Sequence, residues 1–447
     1  MAAAPLFIYA AKRTPFGAFG GKLKGFTATD LGVAAGAATL ASVKGLEPAK
    51  VGASVWGNVA QTSPDAAYLA RHVGLRCGLA HSSTALTVNR LCGSGFQALV
   101  SAAHELRAGD NASGLALVGG AESMSQAPLS AYGHTVRFGQ RLGTDLALQD
   151  TLWAALTDSH CKTPMGTTAE VLGAQYGVTR AACDAFSLAS QQRWAAAHKA
   201  GALAPTIAPV ERPGGRKGPE LFSVDEHPRP DSSAEQLAKL APVFKKDGGL
   251  VTAGNASGIC DGAAALLVGE AGAAGAGAKP LARVLGWATA GVDPRIMGIG
   301  PVPAIRAVLA QLQLTLGQMD LLEVRARARG AQAASLLTNA APPHTTHTHT
   351  HTTRAGERGL CGAGARRGQG AVHCAGEAER ERRRHCAGPP AGRQRRAHSG
   401  PAGARAGRGR GALRAGRRVH WRRAGDGRGA GEVLVRGVGR KGCGCYV

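Results

Sequence analysis

The sequence predicts an α/β fold built from βαβ units, and three observations carry that expectation. Short apolar segments alternate with longer helical patterns, as at residues 84–88, 96–108 and 115–118, which indicates a largely parallel sheet buried on both faces. The chain has 447 residues, enough for two or three domains and a substantial core. Aromatics make up only 4% of it, while Gly and Ala are abundant, so close backbone packing must fill that core in place of bulky side chains.

In chain order, residues 1–8 run straight into a strand and lack the Arg-rich amphipathic pattern of a cleavable transit peptide. Residues 84–88 are β-branched and apolar and read as a buried strand. Beyond them, Phe96, Leu99, Val100, Ala103 and Leu106 recur at helical spacing and stop at Gly109. The connection is Asn89-Arg90-Leu91-Cys92-Gly93-Ser94-Gly95-Phe96, which puts Cys92 at the mouth of the helix. There the positive end of the dipole favours a thiolate nucleophile. Gly93 and Gly95 permit a tight turn and clear space for a ligand to approach the backbone. Local chemistry alone leaves two equal readings, a nucleophile or a buried structural cysteine. Farther on, the Pro-, Gly- and Lys-containing stretch 210–219 reads as an exposed excursion. No apolar run reaches the length of a membrane span. The ten cysteines have no regular spacing, which points to a reduced compartment.

Several motifs in a consistent order weigh toward the nucleophile. Residues 89–96 resemble the acylation motif of the thiolases. Ala11-Lys12-Arg13-Thr14-Pro15-Phe16-Gly17 is similar to the family's opening strand and first loop. Gly119-Gly120-Ala121-Glu122-Ser123-Met124-Ser125 resembles the strand end after the nucleophile helix. Val251-Thr252-Ala253-Gly254-Asn255-Ala256-Ser257-Gly258, followed by Asp261-Gly262-Ala263-Ala264, resembles the second hallmark. Met297-Gly298-Ile299-Gly300-Pro301-Val302-Pro303 resembles the third, and the resemblance runs from about residue 5 to Glu323. Residues 65–72 and Gln191-Gln192-Arg193-Trp194 are most similar to the mitochondrial-type 3-ketoacyl-CoA branch of the family.

That resemblance implies two similar βαβ-rich halves stacked as α-β-α-β-α layers, plus a loop domain. The first half would comprise residues 1–121 and 251–275, with the loop domain, 122–250, over the CoA and substrate site. The second half would begin at 276–323, near Pro280, with a first strand around Leu321-Leu322-Glu323. The implied reaction is acyl transfer between 3-ketoacyl-CoA and CoA, giving acetyl-CoA and a shortened acyl-CoA, or the reverse Claisen condensation. Its setting would be fatty acid β-oxidation. Cys92 would carry the acyl group as a thioester, with ping-pong kinetics as the signature. Coenzyme A serves as a substrate, with no cofactor and no metal. Ser257 would bond the pantetheine arm, with Ala253, Ala256 and Gly258 leaving it a channel and Met165 flanking it. Arg229 would sit near the adenosine or phosphates. His72, His104 and His227 lack comparable support and read as structural or exposed. The expected partners are CoA thioesters and further copies of the chain, as a homodimer or homotetramer, without nucleic acid or membrane. The expected compartment is the mitochondrial matrix or, failing that, the cytoplasm.

From Val324 onward the composition breaks. The net charge of the chain is +24, of which residues 324–447 carry +20 through 25 Arg and one Lys against six acidic residues. Three plain readings compete: a disordered basic tail, a nucleic-acid-binding arm, or a His-rich metal tract around His344, His347, His349 and His351. A fourth explains more. The alternating His and Thr of residues 347–352 are what a CA dinucleotide repeat encodes. Reading the second and third bases of each codon with the first base of the next, residues 357–364 permit Asn-Glu-Ala-Phe-Ala-Ala-Gln. Residues 382–396 permit Gly-Gly-Ala-Ile-Ala-Leu-Gly-His-Pro-Leu-Gly-Ala-Ser-Gly, and residues 419–426 permit Cys-Ile-Gly-Gly-Gly-Gln-Gly. These are the remaining thiolase motifs in family order, which a retained intron from near Val324 to near Ala355 would throw out of frame.

Thiolases use the His of the Gly-His-Pro motif to activate the nucleophile and the Cys of the Cys-Ile-Gly-Gly-Gly motif as acid and base. Donors of the Asn-Glu-Ala-Phe and glycine-rich motifs help bind the oxyanions. The chain as printed has none of these, and Cys386 is no substitute, because its codon falls inside a hidden motif. Turnover of the printed chain is therefore expected to collapse. Two alternatives stand beside this reading. One is a β-ketoacyl synthase-like condensing enzyme, which would pair the cysteine with two His. The other is a non-catalytic basic nucleic-acid-binding protein, although the tail offers only Trp421 and Tyr446 for stacking.

Overall fold

Central strands buried on both faces, covered on each side by helices with one buried face, generate this fold. The computed structural model describes residues 4–214, 218–324 and the strand backbone at 433–437, all within one unit. Its main sheet comprises β1 (Leu6–Arg13), β2 (Ala53–Gly57), β3 (Thr84–Val88), β4 (Leu115–Ser123), β5 (Cys260–Glu270), β6 (Ala282–Trp287) and β7 (Val433–Gly437). They lie in the order β7-β6-β1-β5-β4-β2-β3, and the short strand Gly17–Ala18 pairs with β5.

The sheet is mixed rather than largely parallel. β2 runs parallel to β3 and β4, whereas β5 is antiparallel to both β1 and β4, and β6 is antiparallel to β1. Parallel neighbours need a crossover connection that returns the chain to its starting edge. β5 instead enters from the long stretch after β4 and runs back against it.

Alternate residues of each strand serve opposite faces. On one face, Tyr9, Trp56, Leu115, Leu117, Ala265 and Leu267 share a core with α1 (Ala28–Ala41) and α2 (Leu69–Arg76). On the other, Ile8, Val55, Ala116, Val118, Leu266 and Val268 pack with Ala98, Leu99, Ala102, Ala103 and Leu106 of α3 (Ser94–Ala108). Burial of Leu99 and Leu106 contributes about 1.5–3 kcal/mol each. Helix α1 starts at a capping box: Thr27 Oγ1 accepts the Asp30 N–H at 3.1 Å, and the Asp30 carboxylate accepts the Thr27 N–H at 3.1 Å. Helix α3 ends where the pattern stopped, at Gly109, whose φ of 78° suits glycine.

Three expectations change. Strand β3 forms, but as the edge of the sheet: Thr84, Ala85 and Leu86 are exposed because, among the described residues, β2 is its one partner. Residues 321–323 form no strand. The 210–219 excursion pairs Val210–Arg212 with Glu220–Phe222, whose ends Val210 and Phe222 are buried while residues 211–214 and 218–221 are exposed or half-buried. Strand β6, just past Pro280, adds to the edge of β1 and is followed by a helix over Pro301–Gln311. The remaining second-half layers, and the disorder expected over 324–447, lie outside the described residues. The exception is the backbone of β7, which pairs antiparallel with β6.

A buried ion pair ties the end of β1 to the 122–250 region. The Arg13 guanidinium donates to both Asp225 oxygens at 2.7 and 3.0 Å, with further donation from Phe16 N–H at 2.8 Å and Trp194 Nε1 at 3.2 Å. Burial works against ionisation of Asp225, but these donors and the Arg13 charge outweigh it and hold the carboxyl below its ordinary 3.8. A depressed folded-state value gives stability that is complete above the unfolded pKa and lost as pH falls through the folded one. Asp225→Asn is therefore expected to cost about 3 kcal/mol at neutral pH and to flatten the acid limb below about pH 4. Urea unfolding as a function of pH checks this; an unchanged acid limb in the variant refutes it.

Candidate active site

Strands β2 and β3 end together, with Gly57 in register with Val88, and β4 runs beside them at Gly120 and on to Ser123. Carboxyl ends of parallel strands are where α/β folds gather their ligands. Helix α3 begins at this edge, and Gly57 lets it approach: a Cβ there would lie 2.7 Å from the Ser94 carbonyl carbon. The tight conformation falls on Leu91 rather than on Gly93, with φ of 48° and −91° respectively. Hydrogen bonds over-determine the bend. Asn89 Oδ1 accepts the Leu91 N–H at 2.9 Å. Ser94 Oγ accepts the Arg90 N–H at 2.8 Å and donates to the Leu91 carbonyl at 2.6 Å. Strain of this kind persists where the surroundings enforce it, and such positions cluster at functional sites.

The clamp leaves Cys92 exposed while its neighbours Gly93 and Ser94 are buried. Gly95 keeps open space, since an added Cβ would meet nothing within 4 Å. Cys77 is the contrast: burial pushes its thiol up to about 11, which makes it inert. Two polar side chains to which the sequence pattern gave no role secure the adjoining loop. Glu122 accepts the Val59 N–H at 2.5 Å and the Ala60 N–H at 3.3 Å. Buried Asn58 donates to the Ala121 carbonyl at 2.9 Å. Their one sequence signal is polarity at or just past the end of an apolar run.

The 251–258 loop reaches the same end of the sheet, because β5 pairs Asp261 with Ser123 and Gly262 with Glu122. Ala253, Ala256, Ser257 and Gly258 are exposed, whereas Val251, Thr252 and Asn255 are buried. Asn255 shapes the loop: its Oδ1 accepts the Thr252 N–H at 2.8 Å, and its Nδ2 donates to the Leu250 carbonyl at 2.8 Å and to Asp184 at 2.9 Å. Met165, half-buried, is the first residue of α4 (Met165–Gln175).

Arg229 is exposed, and its guanidinium donates to the carbonyls of Glu226, His227 and Pro228 at 2.7, 3.1 and 3.0 Å. Its loop abuts the 251–258 loop through His227, which lies 3.1 Å from the Ile259 carbonyl. That ring lies so close to Gly258 that a Cβ there would sit 2.0 Å from Cε1. His72 faces Asp65 at 3.3 Å and stacks on Tyr68, and exposed His104 lies against Trp287. The structure thus places Ser257 and its small neighbours beside the loop of Arg229, and sets Cys92 at the same end of the sheet. The hidden-frame motifs, Cys386 and the His344–His351 tract lie outside the described residues. Among the described residues no group of three His, Cys, Asp or Glu could hold a metal. No described helix is long and apolar enough to cross a membrane.

Residues 6–272 match the family described as the thiolase N-terminal domain, and residues 278–342 match the thiolase C-terminal domain, a match that extends beyond Glu323. The mitochondrial 3-ketoacyl-CoA thiolase of Rattus norvegicus is 53% identical over 320 residues, covering 71% of this chain and 79% of that one. The crystal structure of human mitochondrial 3-ketoacyl-CoA thiolase superposes with a TM-score of 0.70 at 49% identity, over 75% of this chain and 82% of that one. The same human enzyme in complex with CoA gives a TM-score of 0.69 at 49% identity, with the same coverage.

Proposed function

Because this chain belongs to the thiolase family, we propose that it transfers acyl groups between 3-ketoacyl-CoA and CoA through a thioester on Cys92. One observation carries the assignment to Cys92: it is exposed in a strained, hydrogen-bonded bend at the head of α3, where β2 and β3 end. In the cleavage direction the Cys92 sulfur attacks the keto carbon of the substrate. The bond between that carbon and its neighbour toward the thioester then breaks. The departing carbon takes a proton and leaves as acetyl-CoA, and a second CoA thiolate removes the acyl group from the sulfur. The first half-reaction exchanges a carbon–carbon bond for a new thioester and the second exchanges one thioester for another, so no oxidant is consumed. Family membership sets aside the β-ketoacyl synthase reading. Ser257, Ala253, Ala256, Gly258, Met165 and Arg229 form the CoA site of this proposal. The test is peptide mapping after incubation with a 3-ketoacyl-CoA; acylation of any residue other than Cys92 overturns it.

The printed tail belongs to the same proposal. The family matches stop at 342, and the missing His and Cys motifs are legible one frame away from Pro389 and Val419, 30 codons apart. A retained intron accounts for the displaced motifs. Transcript sequencing across codons 320–360 is expected to reveal a spliced form; finding the segment unspliced throughout overturns this.

The same family supports a mitochondrial site of action in fatty acid β-oxidation and assembly as a homodimer or homotetramer. The exposed edge of β3 presents Leu86, 40% exposed, and the bend after it presents Leu91, 61% exposed. Unpaired edges of this kind are ready templates for a second copy. Light scattering is expected to give a dimer or larger assembly, and Leu86→Lys is expected to shift it toward monomer. A monomeric parent chain would refute the assembly.

A further inference from the structure

We propose that Glu170 is a positioning residue for the CoA arm, tying helix α4 to the 251–258 loop so that Met165 and Ser257 keep their spacing. This rests on the CoA site proposed above. Glu170 is buried on α4, five residues after Met165. Its Oε1 accepts the Val251 N–H at 2.8 Å and the Leu250 N–H at 3.0 Å, and its Oε2 accepts the same Leu250 N–H at 2.9 Å. A buried carboxylate holding two backbone amides forms strong charge-assisted bonds, here at the root of the loop that presents Ser257.

The far side of the loop is held separately. Asn255 donates to Asp184, which in turn accepts from Arg180 Nε at 2.7 Å, and both residues belong to α5 (Arg180–Lys199). Ser187 Oγ, on the same helix, donates to the Gly254 carbonyl at 2.5 Å. Of these two grips, only Glu170 belongs to the helix that carries Met165. Removing it frees the loop from α4 while leaving it attached to α5. The expected consequence is a CoA channel of the wrong width on an intact fold.

The experiment is calorimetric titration of the full 447-residue chain with coenzyme A. Glu170→Ala is expected to raise the Kd about tenfold, because losing its bonds to the Leu250 and Val251 amides loosens the loop root. Glu170→Gln is expected to stay within about twofold, because a single oxygen already takes both amides. Alkylation of Cys92 by iodoacetamide, which needs no CoA site, should keep its rate in both variants. Should Glu170→Ala unfold, Glu170→Asp carries the same expectation, since it keeps the charge but falls short of the amides. Adding Glu170→Ala to Ser257→Ala should weaken binding little beyond the weaker single variant, because both act through one contact. Undiminished CoA affinity in Glu170→Ala, with Ser257→Ala weakened, overturns the proposal and leaves the site standing. Fully additive losses also overturn it, as does a Glu170→Gln as weak as Glu170→Ala. No CoA binding by the parent chain, or none lost in Ser257→Ala, overturns the site itself.

Discussion

Excising the stretch from Val324 to near Ala355 and restoring the downstream frame is expected to raise acetoacetyl-CoA thiolysis at least about 10³-fold over the chain as printed. The printed chain retains the thiol and the 251–258 loop but lacks the His that activates the nucleophile, the Cys that serves the acetyl carbon and the oxyanion donors. A positioned acid or base is worth about 10²–10⁴ in rate, and a single oxyanion donor about 10²–10³. Such groups act as a unit, so their losses do not multiply, and about 10³ is the conservative floor. Parallel expression of the two forms, assayed at matched protein concentration, measures the ratio. Equal rates would remove the need for the hidden motifs. The restored form should also resist aggregation better, since completing the second half covers apolar surface and strand edges.

Replacing Cys92 with Ala in the restored form should abolish the acyl-enzyme and lower kcat by about 10⁴-fold or more, as loss of a nucleophile does in covalent catalysis. CoA affinity should be unchanged, because the proposed arm contacts lie on the 251–258 loop and α4. Mass spectrometry of quenched reactions and CoA titration separate the two effects. Acylation surviving in Cys92→Ala would assign the thioester elsewhere. Cys77 is the internal control: its thiol is buried and pushed up to about 11, so Cys77→Ala should leave acylation intact and act on stability alone.

Helix α3 was legible because its apolar residues recur every three to four positions and its stop is a glycine. The position of Cys92 followed directly from that helix and the strand before it. The direction and neighbours of the strands were not legible. Each depends on where the chain re-enters the sheet, and β5 does so after a long excursion from β4. The burial of β3 was misread for the same reason: β-branched, apolar residues mark a strand but not whether it is interior or edge. The bend before Cys92 looked like glycine geometry, yet the left-handed residue is Leu91, because Asn89 and Ser94 supply the bonds that hold it there.

By itself, then, the sequence determined the family, the αβ alternation and the place of Cys92 at the mouth of α3, all of which are written in local period or contiguous motif. Only the tertiary structure decided the mixed sheet, the exposed edge at β3 and the grip of Glu170 on Leu250 and Val251. That last contact joins residues 80 and 81 positions apart. Hydrogen bonds across such separations leave no periodic trace in the chain, since they depend on which surfaces meet once the core has closed.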